Sequence, residues 1–196
     1  IGWEYLKPGE AIQRRGGVTG LYLRDVLAAQ LQRLNPGMVN AARAAEIIRQ
    51  LDLLKPTIEG NRDALLWLQG KQSIFVPVES RERNVRLIDF DQMENNRFQV
   101  TDEWPYQGTV YRNRADVVFL INGIPVAIAE TKAAGKANGL AEGVEQIRRY
   151  QRETPEMLIA PQVFEVTELL NFFYGATWVA NRKNVFNWKE VASGDY

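Results

Sequence analysis

Residues 114–132 read R-A-D-V-V-F-L-I-N-G-I-P-V-A-I-A-E-T-K. Val117 to Ile121 and Ile124 to Ala129 are nearly continuous apolar runs, the pattern of strands covered on both faces at the centre of a sheet. Asn122-Gly123 between them is a strong hairpin signal, since both residue types accept positive φ. Asp116 opens the hairpin, and Glu130 and Lys132 close it with Thr131 between them. Side chains alternate along a strand, so Glu130 and Lys132 share a face and Thr131 takes the other.

The turn decides whether Asp116 joins Glu130. A two-residue loop pairs Ile121 with Ile124 and so Asp116 with Ala129, which sends Glu130 to the opposite face. A three-residue loop pairs Leu120 with Ile124 and makes Asp116 a diagonal neighbour of Glu130. A bulge elsewhere in either strand has the same effect. If the acids converge, two carboxylates about 4–6 Å apart favour a divalent cation between them. With the Thr131 backbone carbonyl they form a hard, oxygen-lined partial shell suited to Mg²⁺, with Mn²⁺ as a substitute. Lys132 then stands where it can orient an attacking water or stabilise developing charge. The plainer reading is that strand ends are often charged for solubility.

Working outward, residues 19–34 place Leu23, Val26, Leu27, Leu31 and Leu34 on one helical face, with Thr19 as a cap and Asn35-Pro36-Gly37 as a stop. Residues 40–53 predict a second helix with Ala44, Ile47, Ile48 and Leu51 as its stripe, and 58–69 a third. Strands are expected over 72–79, near an edge because of Pro77, and over 85–91 and 97–101. After the hairpin come a helix over 139–153, a strand near 157–166, a segment at 174–178 and an aromatic tail ending around Trp188. Helices, then strands, then helix and strand again give an α/β (α+β) class with a central mixed sheet flanked by helices. The chain is expected to be one domain over 1–196, mainly helical over 1–70 and sheet-bearing over 71–196.

Composition bounds the chemistry. The 196 residues are 45% hydrophobic and 24% charged, and 24 basic residues balance 24 acidic ones, so no net field steers the chain to nucleic acid. With no cysteine there is no disulfide frame or thiolate site, which fits a reducing cytoplasm. With no histidine, Ser-His and Cys-His catalysis and His-ligated zinc are excluded, leaving carboxylates, Lys, Tyr or an oxygen-held metal. No membrane span or signal peptide is predicted. The chain opens without methionine on I-G-W-E-Y, and it is expected to be a fragment of a longer protein.

The stretches V-R-L-I-D-F-D-Q-M-E-N-N-R-F-Q-V (85–100), R-A-D-V-V-F-L-I-N-G-I-P-V-A-I-A-E-T-K (114–132) and E-Q-I-R-R-Y (145–150) resemble the amino-terminal nuclease domain of type I restriction enzyme motor (R) subunits, within the PD-(D/E)xK superfamily. The likeness extends loosely to L-Q-R-L-N-P (31–36), Tyr174-Gly175-Ala176 and Trp188. It implies a restriction-endonuclease-like core, Asp116 and Glu130 as metal-binding acids and Lys132 as the catalytic lysine. Gln146 and Tyr150 match the QxxxY motif of RecB-like members, and their spacing puts them on one helical face. Leu140, Val144, Ile147 and Gln151 mark the neighbouring face that can dock on the sheet. Ala115 stands where the family has proline, and the family's upstream acid has only Glu46 or Glu59 as matches, or precedes Ile1.

Arg112, Arg114, Lys136, Arg148, Arg149 and Arg152 can contact phosphates, although Glu142, Glu145 and Glu153 interleave with the helix arginines as in a solvated face. No phosphate-binding G-x-x-x-x-G-K-[ST] occurs, so ATP use is expected only through a motor domain outside this stretch. The resemblance implies double-stranded DNA as substrate, methyltransferase and specificity subunits as partners, and a bacterial or archaeal cytoplasm. Two other readings stand beside it: an inactive nuclease-fold module for DNA binding or subunit docking, and a stand-alone repair nuclease.

Overall fold

The computed structural model describes residues 2–133, 138–168 and 171–187. Three long strands form the middle of the sheet: β4 (Phe98–Gln107), β5 (Arg112–Ile121) and β6 (Ile124–Thr131), each antiparallel to the next. β1 (Glu4–Leu6) joins β4 in parallel at one side, and β7 (Val163–Thr167) joins β6 in parallel at the other. β8 (Phe172–Ala176) and β9 (Phe186–Asn187) add antiparallel strands, giving a seven-stranded mixed sheet in the order β1-β4-β5-β6-β7-β8-β9. β2 (Ser73–Val76) and β3 (Arg81–Asn84) form a separate ribbon.

Five helices flank these strands among the described residues, so the class is α/β, as the sequence indicates. α1 (Pro8–Arg14) packs against β4, and α5 (Gly139–Glu153) makes the crossover between the parallel strands β6 and β7. Val144, Ile147 and Tyr150 of α5 are buried in one apolar cluster with Val118, Leu120, Ile128 and Val166 of the sheet. Gly143 brings the helix down onto β7, since a Cβ there would lie 2.4 Å from Val166 Cγ1. α2 (Arg24–Leu34), α3 (Ala41–Asp52) and α4 (Ile58–Leu68) build the second cluster, in which Leu27, Leu31, Ile47, Leu51 and Trp67 pack around Ile124.

The expected α3 stripe of Ala44, Ile47, Ile48 and Leu51 is buried, and Asn40 caps the helix by accepting from the Arg43 N–H. α2 begins at Arg24, not Thr19. Leu23 takes the N-cap position, and its N–H donates to the Gly123 carbonyl at 2.9 Å.

Three strand expectations are corrected. Residues 85–91 form a loop: its apolar alternation buries Val85, Leu87 and Ile88, but Asp89 takes the backbone role of a partner strand. Asp89 Oδ1 accepts from the Asp91 and Gln92 N–H groups, and the Asn96 amide brackets the Asp89 backbone. Residues 77–79 turn into a 3-10 helix at Pro77. Residues 155–158 do the same at Pro155, so β7 starts only at Val163. β1 and α1 carry too few residues to show a period, and the sequence reading places no element there.

The hairpin turn is buried and fully bonded. Asn122 (φ 54°) and Gly123 (φ 79°) both have positive φ, as a two-residue hairpin turn of this kind requires. Asn122 Oδ1 accepts from Gln30 Nε2 and the Arg97 N–H, and Nδ2 donates to Leu87 O and Asn96 Oδ1, each at 2.8 Å. Gly123 must be glycine for a second reason: a Cβ would sit 2.7 Å from the Leu23 carbonyl oxygen.

Candidate active site

The turn is the two-residue form, with Ile121 paired to Ile124 and Leu120 to Pro125. The register then slips. Phe119 pairs with Ala127, Val118 with Ile128 and Val117 with Ala129, which leaves Val126 as the extra residue of a β-bulge. Pro125 suits this place, having no N–H to give the ladder. The Val126 carbonyl is taken by the Gln162 N–H at 2.9 Å. Continued by one residue, the shifted ladder sets Asp116 opposite Glu130 on the same face. The tight turn and the convergence of the acids coexist through a bulge at Val126.

Glu130 is fully buried, and β7 covers it on its other side through the pair Glu130–Val166. Burial first, and the nearby Asp116 charge second, push its carboxyl up to about 7, against the lowering pull of the Tyr150 hydrogen bond and Lys132. Oε1 lies 3.0 Å from the Tyr150 hydroxyl, whereas Oε2 has no hydrogen-bond partner, with Lys132 Nζ at 3.6 Å. Asp116 is half-buried, and its Oδ2 accepts from the Thr131 N–H (2.9 Å) and the Thr131 hydroxyl (3.1 Å).

Lys132 donates to Gln146 Oε1 at 2.9 Å and to the Thr131 carbonyl at 3.3 Å. Gln146 Nε2 donates to the Tyr150 hydroxyl at 2.8 Å. The ammonium on one side and the phenol on the other thus fix which end of the Gln146 amide faces which neighbour. The Tyr150 hydroxyl reaches the Arg114 carbonyl at 2.5 Å, and burial plus the Glu130 charge push its phenol above the ordinary range. Asp116, Glu130, Thr131, Lys132, Gln146 and Tyr150 therefore form one bonded cluster between β5, β6 and α5.

A groove of about 700 Å³ opens beside it, lined by Arg112, Arg114, Asp116, Gln146 and Arg149, with Pro105, Asn113 and Glu153. Arg112, Arg114 and Asp116 occupy alternate positions of β5 and repeat about every 7 Å. Arg148 instead donates to the Ala180 carbonyl and pairs with Glu145, as does Arg152. Lys136 and Trp188 lie outside the described residues. Glu46 pairs with Arg49 on α3, and Glu59 sits at the start of α4 with Thr57 and Arg62 for neighbours. Neither joins the cluster, and among the described residues no group of three or more His, Cys, Asp or Glu is placed to hold a metal ion. The site residues that sequence reasoning missed are the Thr131 hydroxyl, Asn113 and Glu153. Asn113 is held at the groove by its bonds to Glu153 and Thr154 at the end of α5, a long-range contact that no local sequence pattern marks.

No helix among the described residues is long and apolar enough to cross a membrane. A family model described as the type I restriction enzyme R protein N terminus matches residues 1–186. A putative type I restriction enzyme MjaVIIP endonuclease subunit from Methanocaldococcus jannaschii is 38% identical over 79 residues, 40% of this chain and 7% of that protein. The type I restriction enzyme EcoprrI endonuclease subunit from Escherichia coli is 31% identical over 117 residues, 58% of this chain and 36% of that protein. The HindI endonuclease subunit from Haemophilus influenzae is 22% identical over 178 residues, 86% of this chain and 17% of that protein. The matched stretch thus spans about a third or less of each of these relatives.

Proposed function

The chain belongs to the family of type I restriction enzyme R protein N termini, and on that premise we propose that it is the Mg²⁺-dependent DNA endonuclease domain of a type I restriction enzyme, cutting phosphodiester bonds with water. The observation that carries the proposal is the register slip at Val126, which, continued one residue past the Val117–Ala129 pair, turns Asp116 toward Glu130, near enough for its charge to raise the Glu130 carboxyl.

The donor set fits a hard divalent cation. Glu130 Oε2 is a buried oxygen without a hydrogen-bond partner, 3.6 Å from Lys132 Nζ, and Asp116 and the Thr131 carbonyl add two more oxygen donors of the kind Mg²⁺ or Mn²⁺ takes. Such a cation, when bound, would polarise a phosphate and activate water. This chain's own residues do the rest. Asp116 and Glu130 hold negative charge at one point, with Asp116 fixed by the Thr131 N–H and hydroxyl. Lys132 brings a positive charge beside them, aimed by Gln146, to stabilise the charge that develops on the phosphate oxygens. Tyr150 holds both Gln146 and Glu130 in place. Arg112, Arg114 and Arg149 bind the phosphates of duplex DNA in the groove and fix its position without reading its sequence. Methyltransferase and specificity subunits as partners, and ATP through a motor domain, are assigned to the longer protein on the strength of the family.

In the full-length restriction complex, Asp116→Ala and Lys132→Ala should each reduce cleavage by at least about 10²-fold while far-UV circular dichroism stays unchanged. Undiminished cleavage by both variants removes the assignment. Titration calorimetry with Mn²⁺ separates this reading from an inactive docking module, which has no reason to lose an ion when Asp116 is removed.

A further inference from the structure

Among the described residues three non-glycine positions have positive φ. Asn122 and Ser80 sit in turns, where that conformation is ordinary. Glu103 (φ 49°) sits inside β4. Glutamate lacks the short polar side chain that lets Asn and Asp bond locally in this region, so the surrounding ladder must impose the conformation. Asp102 pairs with Val117 and Trp104 with Ala115, which places Glu103 across from Asp116 on the side away from Glu130.

The carboxylate does not join the acids of the site. Its Oε1 accepts from Arg114 Nη1 at 2.8 Å, with both side chains more than half exposed. Exposed ion pairs of this kind add little stability, so the pair does not explain why the strained backbone is tolerated. Arg114 is the groove arginine nearest Asp116 along β5, and its planar fork offers five N–H donors, of which this contact engages one edge.

We infer that Glu103 is a positioning residue. It grips one edge of the Arg114 guanidinium so that the other edge meets a phosphate of the bound DNA strand, beside the one to be cut. The inference rests on the nuclease reading above. It commits to a direction, because an acid that merely sat in the groove would repel DNA and its removal would help. A positioning acid slows the reaction when removed, even though binding does not weaken.

The test uses the full-length restriction complex on DNA carrying its recognition site, with single-turnover cleavage and DNA affinity measured separately. Glu103→Ala is expected to cleave about tenfold more slowly, with affinity unchanged or tighter. Glu103→Gln keeps an acceptor oxygen for Nη1 and should stay within about twofold of the parent rate. Glu103→Gly relieves the positive φ, so it should melt no lower than the parent and still cleave slowly, which excludes unfolding as the cause. Arg114→Ala should lower the slope of affinity against salt by about one, and adding Glu103→Ala should cost nothing more. The inference is overturned if Glu103→Ala cleaves as fast as the parent or faster, or if its effect multiplies with that of Arg114→Ala. Undiminished cleavage by both Asp116→Ala and Lys132→Ala would instead overturn the nuclease reading itself.

Discussion

The Tyr150 hydroxyl lies 3.0 Å from Glu130 Oε1 and 2.5 Å from the carbonyl oxygen of Arg114, so one helix residue ties together the two strands that carry the acids. Its single proton serves two acceptors, while Gln146 donates to its oxygen. Tyr150→Phe leaves Glu130 and Arg114 short of a donor in a buried place, a loss of about 1–3 kcal/mol. It also removes a bond that lowers the Glu130 pKa, so that pKa should climb further. Urea unfolding and the pH dependence of Mn²⁺ binding read the two effects. An unchanged midpoint in both would show that the phenol is a bystander.

Glu130 makes stability depend on pH. Its carboxyl is raised from 4.5 to about 7 by folding, so the folded chain holds the proton more tightly than the unfolded chain. The raised group adds no penalty below the ordinary carboxylate range. Its cost grows as pH rises from there through about 7, and is constant above. Glu130→Gln should therefore be more stable than the parent at pH 8 without metal, by about 3 kcal/mol, and equal to it near pH 4. Metal affinity should strengthen over the same rise, with release of a proton on binding. Thermal melts across that range, with chelator and with Mn²⁺, check both; a pH-independent difference between the two chains would contradict it.

Asn122→Ala removes four hydrogen bonds from a buried turn and puts alanine at positive φ. We expect a loss of about 3–5 kcal/mol in denaturant unfolding. Asn122→Asp keeps the acceptor and loses the donors to Leu87 and Asn96, so it should also be strongly destabilised. A loss under about 1 kcal/mol in the alanine variant would mean that the helices, not the turn, hold this end of the sheet.

Gly143→Ala tests how closely α5 must lie on the sheet. The added methyl meets Val166, whose branched side chain cannot turn away, so the helix must lift. Overpacking of this kind costs about 1–3 kcal/mol. Because α5 carries Gln146 and Tyr150, cleavage by the full complex should fall beyond what the stability loss explains. Val166→Ala in the same chain opens the space and should recover both, whereas a double variant no better than the single would place the strain elsewhere.

The long periodic elements were legible in the sequence. Helix 139–153 matches α5, and the two apolar runs of the hairpin match β5 and β6, because burial on two faces leaves a plain signature. The cluster itself was foreshadowed by D…ExK…QxxxY. What the residues could not reveal was the slip at Val126, since one unpaired residue changes no composition and only Pro125 hints at it. The loop at 85–91 was misread because Val85, Leu87 and Ile88 are buried like strand residues while Asp89 and Asn96 satisfy the backbone locally. Such side-chain bonding competes with a ladder and leaves the apolar pattern untouched.

Val126 also exposes a fragility of heredity. The turn is clamped beneath the helices at one end of the hairpin, and the acids stand at the other, with one uncounted residue between. Loss of a single codon there would put Asp116 back beside Ala129 and rotate Glu130 out of partnership. Every letter of D…ExK would still be present in the gene. The chain would then keep every residue of the pattern while its two acids no longer faced each other.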